Sequence, residues 1–539
     1  MNAPDAQAIA SLTAPTLIGC RSSEPTGAIP GPEAIGFKAH NLARMAALGL
    51  PVPPAFVLGT GWCAQAERLT SAAWQDALAA LSRTTGQALG DVRRPLLLSV
   101  RSGAPVSMPG MMETLLNIGL CDATVPGLLR QTGNPRMVWD AYRRLVAGYG
   151  EVVLGLEAAL FDADLAQVAA GRDERELDFT ELRTLTRAHL ASVQRATGRP
   201  FPQQPQAQLA AAIQAVFASW HAPKARDYRR LKQLDDGMGT AVTVQRMVFG
   251  NAGGTSGAGV GFTRHPSSGE RQPWVDFLFN AQGEDVVSGR RSAQGHDELA
   301  QVAPTVWAEL LDATHRLETE FRDMQDFEFT VENGHLYLLQ TRNGKRTAQA
   351  AARIALDLAE EGLISRTEAL ARTAELDADH LAVARVVGAA DGQPLQPLAH
   401  AVSAAHGVAI GEIALDEARA QTRQAAGAPV VLLRPEAETR DIVALDIAQG
   451  LLTIRGARTS HAAVVARQLG KVCLVGCEAL QIDLARRTVR LGDQTLAEGE
   501  RITLDGNDGA IYRGAAQIVR EVPQALMDRL SELRESPLP

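Results

Sequence analysis

Two alternating runs joined by Asn333-Gly334 constrain this chain more than any other stretch. In Gln325-Asp326-Phe327-Glu328-Phe329-Thr330-Val331, polar and apolar residues alternate with period two. A strand of that pattern puts Asp326 and Glu328 on one face and Phe327 and Phe329 on the other. Residues 336–342 supply a partner strand carrying Gln340 and Arg342, and Asn-Gly marks the turn. Loop length sets the register. A two-residue loop turns Gln340 to the face away from Glu328. A three-residue loop, Glu332-Asn333-Gly334, gathers Asp326, Glu328, Gln340 and Arg342 on one face and Phe327, Phe329, Val331, Tyr337 and Leu339 on the other. That segregation predicts the three-residue loop. Paired carboxylates on a strand can hold Mg²⁺, which bridges nucleotide phosphates. An exposed polar face on a half-buried hairpin is the plainer alternative.

A second segment, Thr459-Ser460-His461-Ala462-Ala463-Val464-Val465-Ala466-Arg467, sets one histidine at the mouth of a short helix that Gly470 should stop. Thr459 or Ser460 can cap its free N–H groups. A phosphoryl group on His461 would meet those donors and the positive end of the helix dipole. The dipole also disfavours imidazolium and keeps the ring nucleophilic near neutral pH. Taken alone, the segment reads more simply as a capping-region histidine without chemistry.

Between two predicted strands lies Phe249-Gly250-Asn251-Ala252-Gly253-Gly254-Thr255-Ser256-Gly257-Ala258-Gly259. Such a loop can close over phosphates through its backbone N–H groups, or can be a mobile hairpin tip. It matches neither the Walker nor the dinucleotide pattern. Arg101 ends an apolar strand and either clamps a phosphate or serves a structural ion pair.

The 539 residues should form several domains, and 46% apolar with 21% charged residues reads as an ordinary globular protein. A net charge of −8 without a basic stripe argues against a nucleic-acid binder. No apolar run reaches the ~20 residues of a membrane span, and no secretory signal opens the chain. Cys20, Cys63, Cys121, Cys473 and Cys477 are scattered and read as reduced thiols of a cytoplasmic protein. Lysines are confined to Lys38, Lys224, Lys232, Lys345 and Lys471. In so Arg-rich a chain, a retained lysine is a candidate for point-charge chemistry.

Along the chain, residues 1–30 read as a loose leader. A helix over 39–48 and a strand near 56–58 follow, and then a strand over 96–100. Residues 122–225 read as a helical insertion. Strands are expected at 241–248 and 259–263, and a long helix at 303–324. Residues 346–390 read as helices and 392–397 as a linker. An α/β unit over about 400–515 carries strands at 430–433, 450–453, 472–475 and 501–504. The chain closes in an amphipathic tail helix.

Three stretches together resemble pyruvate, phosphate dikinases. They are Ser99-Val100-Arg101-Ser102-Gly103-Ala104-Pro105-Val106-Ser107-Met108-Pro109-Gly110-Met111-Met112, the run Gln340-Thr341-Arg342-Asn343-Gly344-Lys345-Arg346-Thr347-Ala348-Gln349-Ala350, and the Thr-Ser-His segment. Gly261-Phe262-Thr263-Arg264-His265-Pro266 fits the same family, and the similarity covers about residues 35–515.

The resemblance implies an α/β and α+β multidomain fold. An ATP-grasp nucleotide-binding region would comprise 31–121 and 226–345, with 122–225 inserted. A helical linker over 346–399, a swivelling phosphohistidine domain over 400–515 and a tail helix over 516–539 would follow. It implies ATP binding by Lys38, Arg101, Glu328, Gln340 and Arg342, Mg²⁺ held by Asp326, Glu328 and Gln340, and His461 as carrier. In the family the histidine takes a pyrophosphoryl group and releases AMP. Phosphate then removes the outer phosphoryl, and the phosphohistidine phosphorylates pyruvate.

This sequence departs from the family pattern in three places. Gly36-Phe37-Lys38-Ala39 stands where Gly-Gly-Lys-Gly is usual, and Ser403-Ala404-Ala405-His406-Gly407 where Ala-Ser-Pro-Gly is usual. The residues after 515 are too few for the family's pyruvate-binding barrel. The expectation is therefore an acceptor on a separate phosphoenolpyruvate/pyruvate-binding subunit, docked through the tail helix. Another small acceptor, such as an alcohol or phenol, and a non-catalytic ATP-binding or phosphocarrier regulator are the alternatives. Thr459 matches a regulatory phosphorylation position of plant relatives.

Overall fold

The computed structural model describes residues 14–20, 28–106, 108, 111–287, 296–389, 395–436, 442–456, 458 and 461–535. Thr459 and Ser460, the proposed caps, lie outside the described residues, as do Ser107, Pro109 and Gly110. Packing divides the chain into two units, residues 1–253 with Tyr337–Gln340, and residues 254–336 with 341–539.

In the first unit β1 (Thr16–Ile18), β2 (Ala55–Leu58), β3 (Leu98–Gly103), β4 (Thr114–Ile118) and β5 (Ala241–Arg246) form an antiparallel sheet in the order β1-β2-β5-β3-β4. The helical stretch predicted for 122–225 runs as six α-helices from Val125–Thr132 to Pro223–Leu231. Their starts obey sequence rules: Pro135, Pro205 and Pro223 open helices, and Asp178 with Glu181 forms a capping box. Leu209, Ile213, Val216 and Phe217 recur at helical spacing on Pro205–Ala218 and join Phe56, Leu98, Val100 and Val244 in one core. Each such burial contributes roughly 1.5–3 kcal/mol.

In the second unit β6 (Gly257–Phe262), β7 (Trp274–Phe279), β8 (Gln325–Glu332) and β9 (His335–Asn343) form a sheet in the order β7-β6-β8-β9. Here the Gly-rich reading needs correction, because Gly257 and Gly259 are strand residues rather than loop. With Gly261 they line one face of β6, where Phe277, Phe329 and Phe327 lie. A Cβ on Gly259 would sit 2.4 Å from Phe329 Cζ. These glycines therefore make room for aromatic rings. Arg264 is also structural: wholly buried, it bonds Glu318 at 2.9 Å and Glu361 at 2.9 Å, joining helices Pro304–Phe321 and Ala348–Glu360 to the end of β6.

The helical reading of 346–390 fails at β10 (Val383–Ala389), where a β-branched run, Val383-Ala384-Arg385-Val386-Val387, favours a strand. There follow β11 (Ala399–His400), β12 (Val402–Ala405), β13 (Val408–Ala414), β14 (Val430–Arg434), β15 (Gly450–Thr453) and β16 (Val472–Val475). Next come the meander β17 (Leu480–Asp483), β18 (Thr488–Leu491) and β19 (Gln494–Ala497), then β20 (Arg501–Asp505), β21 (Ala510–Arg513) and β22 (Ala516–Glu521). Eight of these make one mixed sheet, β11-β21-β20-β13-β14-β15-β16-β12, whose centre, β13 to β16, is parallel.

β10 pairs antiparallel with β22, so the tail is a strand before it is a helix. The helix Gln524–Glu535 buries Leu526 and Leu530 against Ala352, Leu356 and Leu381. Its apolar face is covered by its own chain. No helix of the described residues is long and apolar enough to cross a membrane.

Candidate active site

Gly36 starts the first cluster. Its φ of +78° suits glycine, and a Cβ there would lie 1.9 Å from Gly103 O. Phe37 N donates to Ala104 O at 2.9 Å, so the Gly36-Phe37-Lys38 turn is stitched to the end of β3. Only Gly36 needs that freedom. Phe37 is already the first residue of helix Phe37–Ala47, which is how the departure from a double glycine is accommodated. Lys38, Arg101 and Gln340 then line one cavity with Ser102, Thr243 and Gln245.

The hairpin carries the second cluster, and its turn is the two-residue form. Asn333 and Gly334 both take positive φ, +52° and +79°, between β8 ending at Glu332 and β9 starting at His335. Asn-Gly is the preferred type I′ pair, and that local chemistry outweighed face segregation. Yet Arg342 still meets Asp326, Nε to Oδ2 2.8 Å. Thr341 bonds Gln325 at 3.0 Å and Gly344 N bonds Met324 O at 2.8 Å. These pairs fit only if β9 takes one more residue than β8 between the turn and Arg342, a bulge-type irregularity. The loop prediction was wrong, and the Asp326–Arg342 part of the shared face survives through this extra residue.

Asp326 is 8% exposed, which rules out a solvent-facing polar edge. Burial pushes its carboxyl above the ordinary range, opposed by Arg342 and reinforced by Glu328. Burial works against the charge of Arg342, but Asp326 and Glu328 outweigh it and raise its pKa.

His461 begins the helix His461–Gln468, which crosses from β15 to β16. It thus follows the carboxyl end of a parallel strand, a usual place for chemistry in such sheets. Arg467 on that helix is buried, donates to Ala404 O at 2.6 Å, and lies 5.3 Å from the Phe262 ring centroid and 5.5 Å from that of Trp274. Burial lowers its pKa, countered in part by Asp326 and Asp276. The second unit therefore brings Arg467 of the histidine helix to Phe262 and Trp274, on β6 and β7 of the sheet that also holds β8 and β9.

Sequence reasoning missed Trp274, Asp276, Arg458, and the edge-to-face pair His265–His406, whose centroids are 5.7 Å apart. One signal was available. Asp276 interrupts an otherwise apolar strand, Trp274–Phe279, and a carboxylate so placed calls for a buried cation.

The family model described as pyruvate phosphate dikinase, AMP/ATP-binding domain, matches residues 67–297 and 297–363. The model described as PEP-utilising enzyme, mobile domain, matches 427–509. Among curated relatives, pyruvate, phosphate dikinase of Clostridium symbiosum is 42% identical over 491 residues, covering 89% of this chain and 56% of the relative. That of Giardia intestinalis is 42% identical over 504 residues, covering 90% and 56%. Pyruvate, phosphate dikinase 2 of Zea mays is 41% identical over 492 residues, covering 89% and 56%. The chain thus spans little more than half the length of these relatives.

Proposed function

The chain belongs to the pyruvate, phosphate dikinase family, and from that premise we propose that it loads His461 from ATP and passes a phosphoryl group to pyruvate. Residues 31–121 and 226–345 are read as an ATP-grasp region interrupted by 122–225, and 400–515 as a swivelling phosphohistidine domain. The observation that carries this reading is the packing of helix His461–Gln468, through Arg467, against Phe262 and Trp274 of the sheet that also carries Asp326.

In the first step an imidazole nitrogen of His461 attacks the β-phosphorus of ATP. An N–P bond forms, the bridge between α- and β-phosphorus breaks, and its oxygen leaves with AMP. A phosphate oxygen next attacks the outer phosphorus and departs as pyrophosphate, leaving phosphohistidine. The enolate oxygen of pyruvate takes the remaining phosphoryl group and the histidine nitrogen leaves. Lys38 and Arg101 neutralise the triphosphate, Arg101 with a planar fork suited to phosphate. Arg342, held charged by its neighbours, adds a fixed cation, and Gln340 supplies an amide.

Among the described residues no three His, Cys, Asp or Glu side chains cluster as a metal site. Two carboxylates still fit Mg²⁺, which keeps several waters and takes phosphate oxygens. Glu328 is the better ligand of the two, since Asp326 is engaged by Arg342, whereas Gln340, expected as a third ligand, lines the cavity of Lys38 and Arg101 instead. When bound, the ion would neutralise charge on the phosphates.

The test is incubation with Mg²⁺ and ATP labelled at the β-phosphate, with and without inorganic phosphate. Acid-labile label together with AMP is expected, and neither in His461→Ala; label that persists in that variant sinks the reading. A chase with pyruvate then reports whether the barrel implied by the resemblance must be supplied in trans.

A further inference from the structure

Asp276 lies in the apolar strand β7, and its side chain is fully buried. Arg458, three residues before His461, reaches it from the other side of the sequence. Its Nε donates to Asp276 Oδ1 at 2.9 Å and its Nη2 to the same oxygen. The guanidinium carbon stands 4.4 Å from the Trp274 ring centroid, within cation–π range. The backbone oxygen of Arg458 accepts from Arg467 Nη2 at 3.3 Å, so the turn is braced from the histidine helix as well. Trp274 consequently faces two guanidinium groups, one from each end of the segment that contains His461. A buried carboxylate and an aromatic face make a poor site for water and a specific one for a planar cation.

We propose that Arg458 is a positioning residue for loading of the histidine. Its clamp on Asp276 and Trp274 anchors Arg458, three residues before the histidine helix, for the transfer from ATP. The inference deepens the phosphocarrier reading and rests on it. Arg458 touches no reacting atom. Its contribution is orientation, and a misplacement of about 1 Å there can slow a step about a hundredfold.

Single-turnover labelling from β-labelled ATP with Mg²⁺ tests it on the full chain, comparing wild type with Arg458→Met, Arg458→Lys and Asp276→Asn. Arg458→Met strands the buried Asp276 and should lower the thermal midpoint; well below that midpoint, on fully folded protein, it should load at least about tenfold more slowly at saturating ATP, with KM for ATP close to wild type. Arg458→Lys keeps the charge and should recover part of the rate, and Asp276→Asn, nearly isosteric, should resemble Arg458→Met. Equal loading rates in wild type and Arg458→Met overturn the proposal. So does a loss in Arg458→Met that disappears once the rate is corrected for the folded fraction, or that Arg458→Lys does not recover at all, which would assign a structural role. Wild-type protein that takes no label on His461 refutes the phosphocarrier reading itself, an outcome distinct from the other two.

Discussion

Arg342 bonds one oxygen of Asp326 twice, Nε at 2.8 Å and Nη2 at 2.7 Å, across a hairpin whose turn alone would set the two on opposite faces. The extra residue in β9 is what permits the pair. It leaves a buried carboxyl whose ionised form is opposed by burial and by Glu328 and is favoured chiefly by Arg342, with a smaller contribution from Arg467.

Arg342→Met should therefore cost about 3 kcal/mol, the scale for stranding one member of a buried pair. A carboxyl raised in the folded state holds a proton that the unfolded chain releases, so stability falls as pH rises through that window. The loss should accordingly be larger at pH 7 than near pH 4. Adding Asp326→Asn to Arg342→Met should recover part of it. Urea denaturation at both pH values measures this, and a loss independent of pH would contradict the account.

Gly259→Ala should destabilise by about 1–3 kcal/mol, because the new methyl meets Phe329 Cζ at 2.4 Å and Asp276 O at 2.9 Å. Phe329→Leu in the same chain should relieve the ring contact and return part of the stability. Thermal denaturation of the single and double variants decides; a neutral Gly259→Ala would show that β6 tolerates a side chain.

What was legible in the sequence was local. Helical periodicity gave the helices of 122–225, and alternation gave β8 and β9. Non-local partners were not legible. Asn333-Gly334 was visible as a turn, but the extra residue in β9 that lets Arg342 meet Asp326 answers to tertiary packing. Gly257 and Gly259 looked like a phosphate loop because composition cannot distinguish flexible glycine from glycine that clears space for a ring. Of the candidate site, Asp326 with Arg342 and Lys38 with Arg101 and Gln340 could be guessed as groups. Arg458 could not, since its partner Asp276 is far away in the chain and known only through the fold.

Lys38→Met and Arg101→Met should each weaken ATP binding about tenfold to a hundredfold, as expected for losing one charge-assisted contact to a phosphate. Both residues are half-buried in the cavity, so stability should move little. Arg101→Lys should bind more weakly than wild type because a point charge cannot reproduce the fork. Titration with a fluorescent ATP analogue, alongside denaturation curves, separates binding from folding. Unchanged affinity in both methionine variants would remove this cavity from the proposed ATP site.

His406 offers a pH-dependent test of the second unit. Burial, then His265 and Arg467, press its pKa down from the ordinary 6.5 to about 4. His265 is lowered as well, first by burial. Among the described residues His406 Nδ1 is buried without a hydrogen-bond partner, which suits a ring kept neutral. Between these two values the unfolded chain binds the proton and the folded chain refuses it. Stability contributed by the neutral ring is present above pH 6.5 and is lost as pH falls toward 4. A shift of this size corresponds to about 3 kcal/mol at most. His406→Phe fills the same space without a titratable group, so its stability should hold where wild type declines. Denaturation midpoints of the two proteins, followed from pH 7 to 4, should diverge progressively below 6.5; parallel curves would mean that the acid loss arises at other groups.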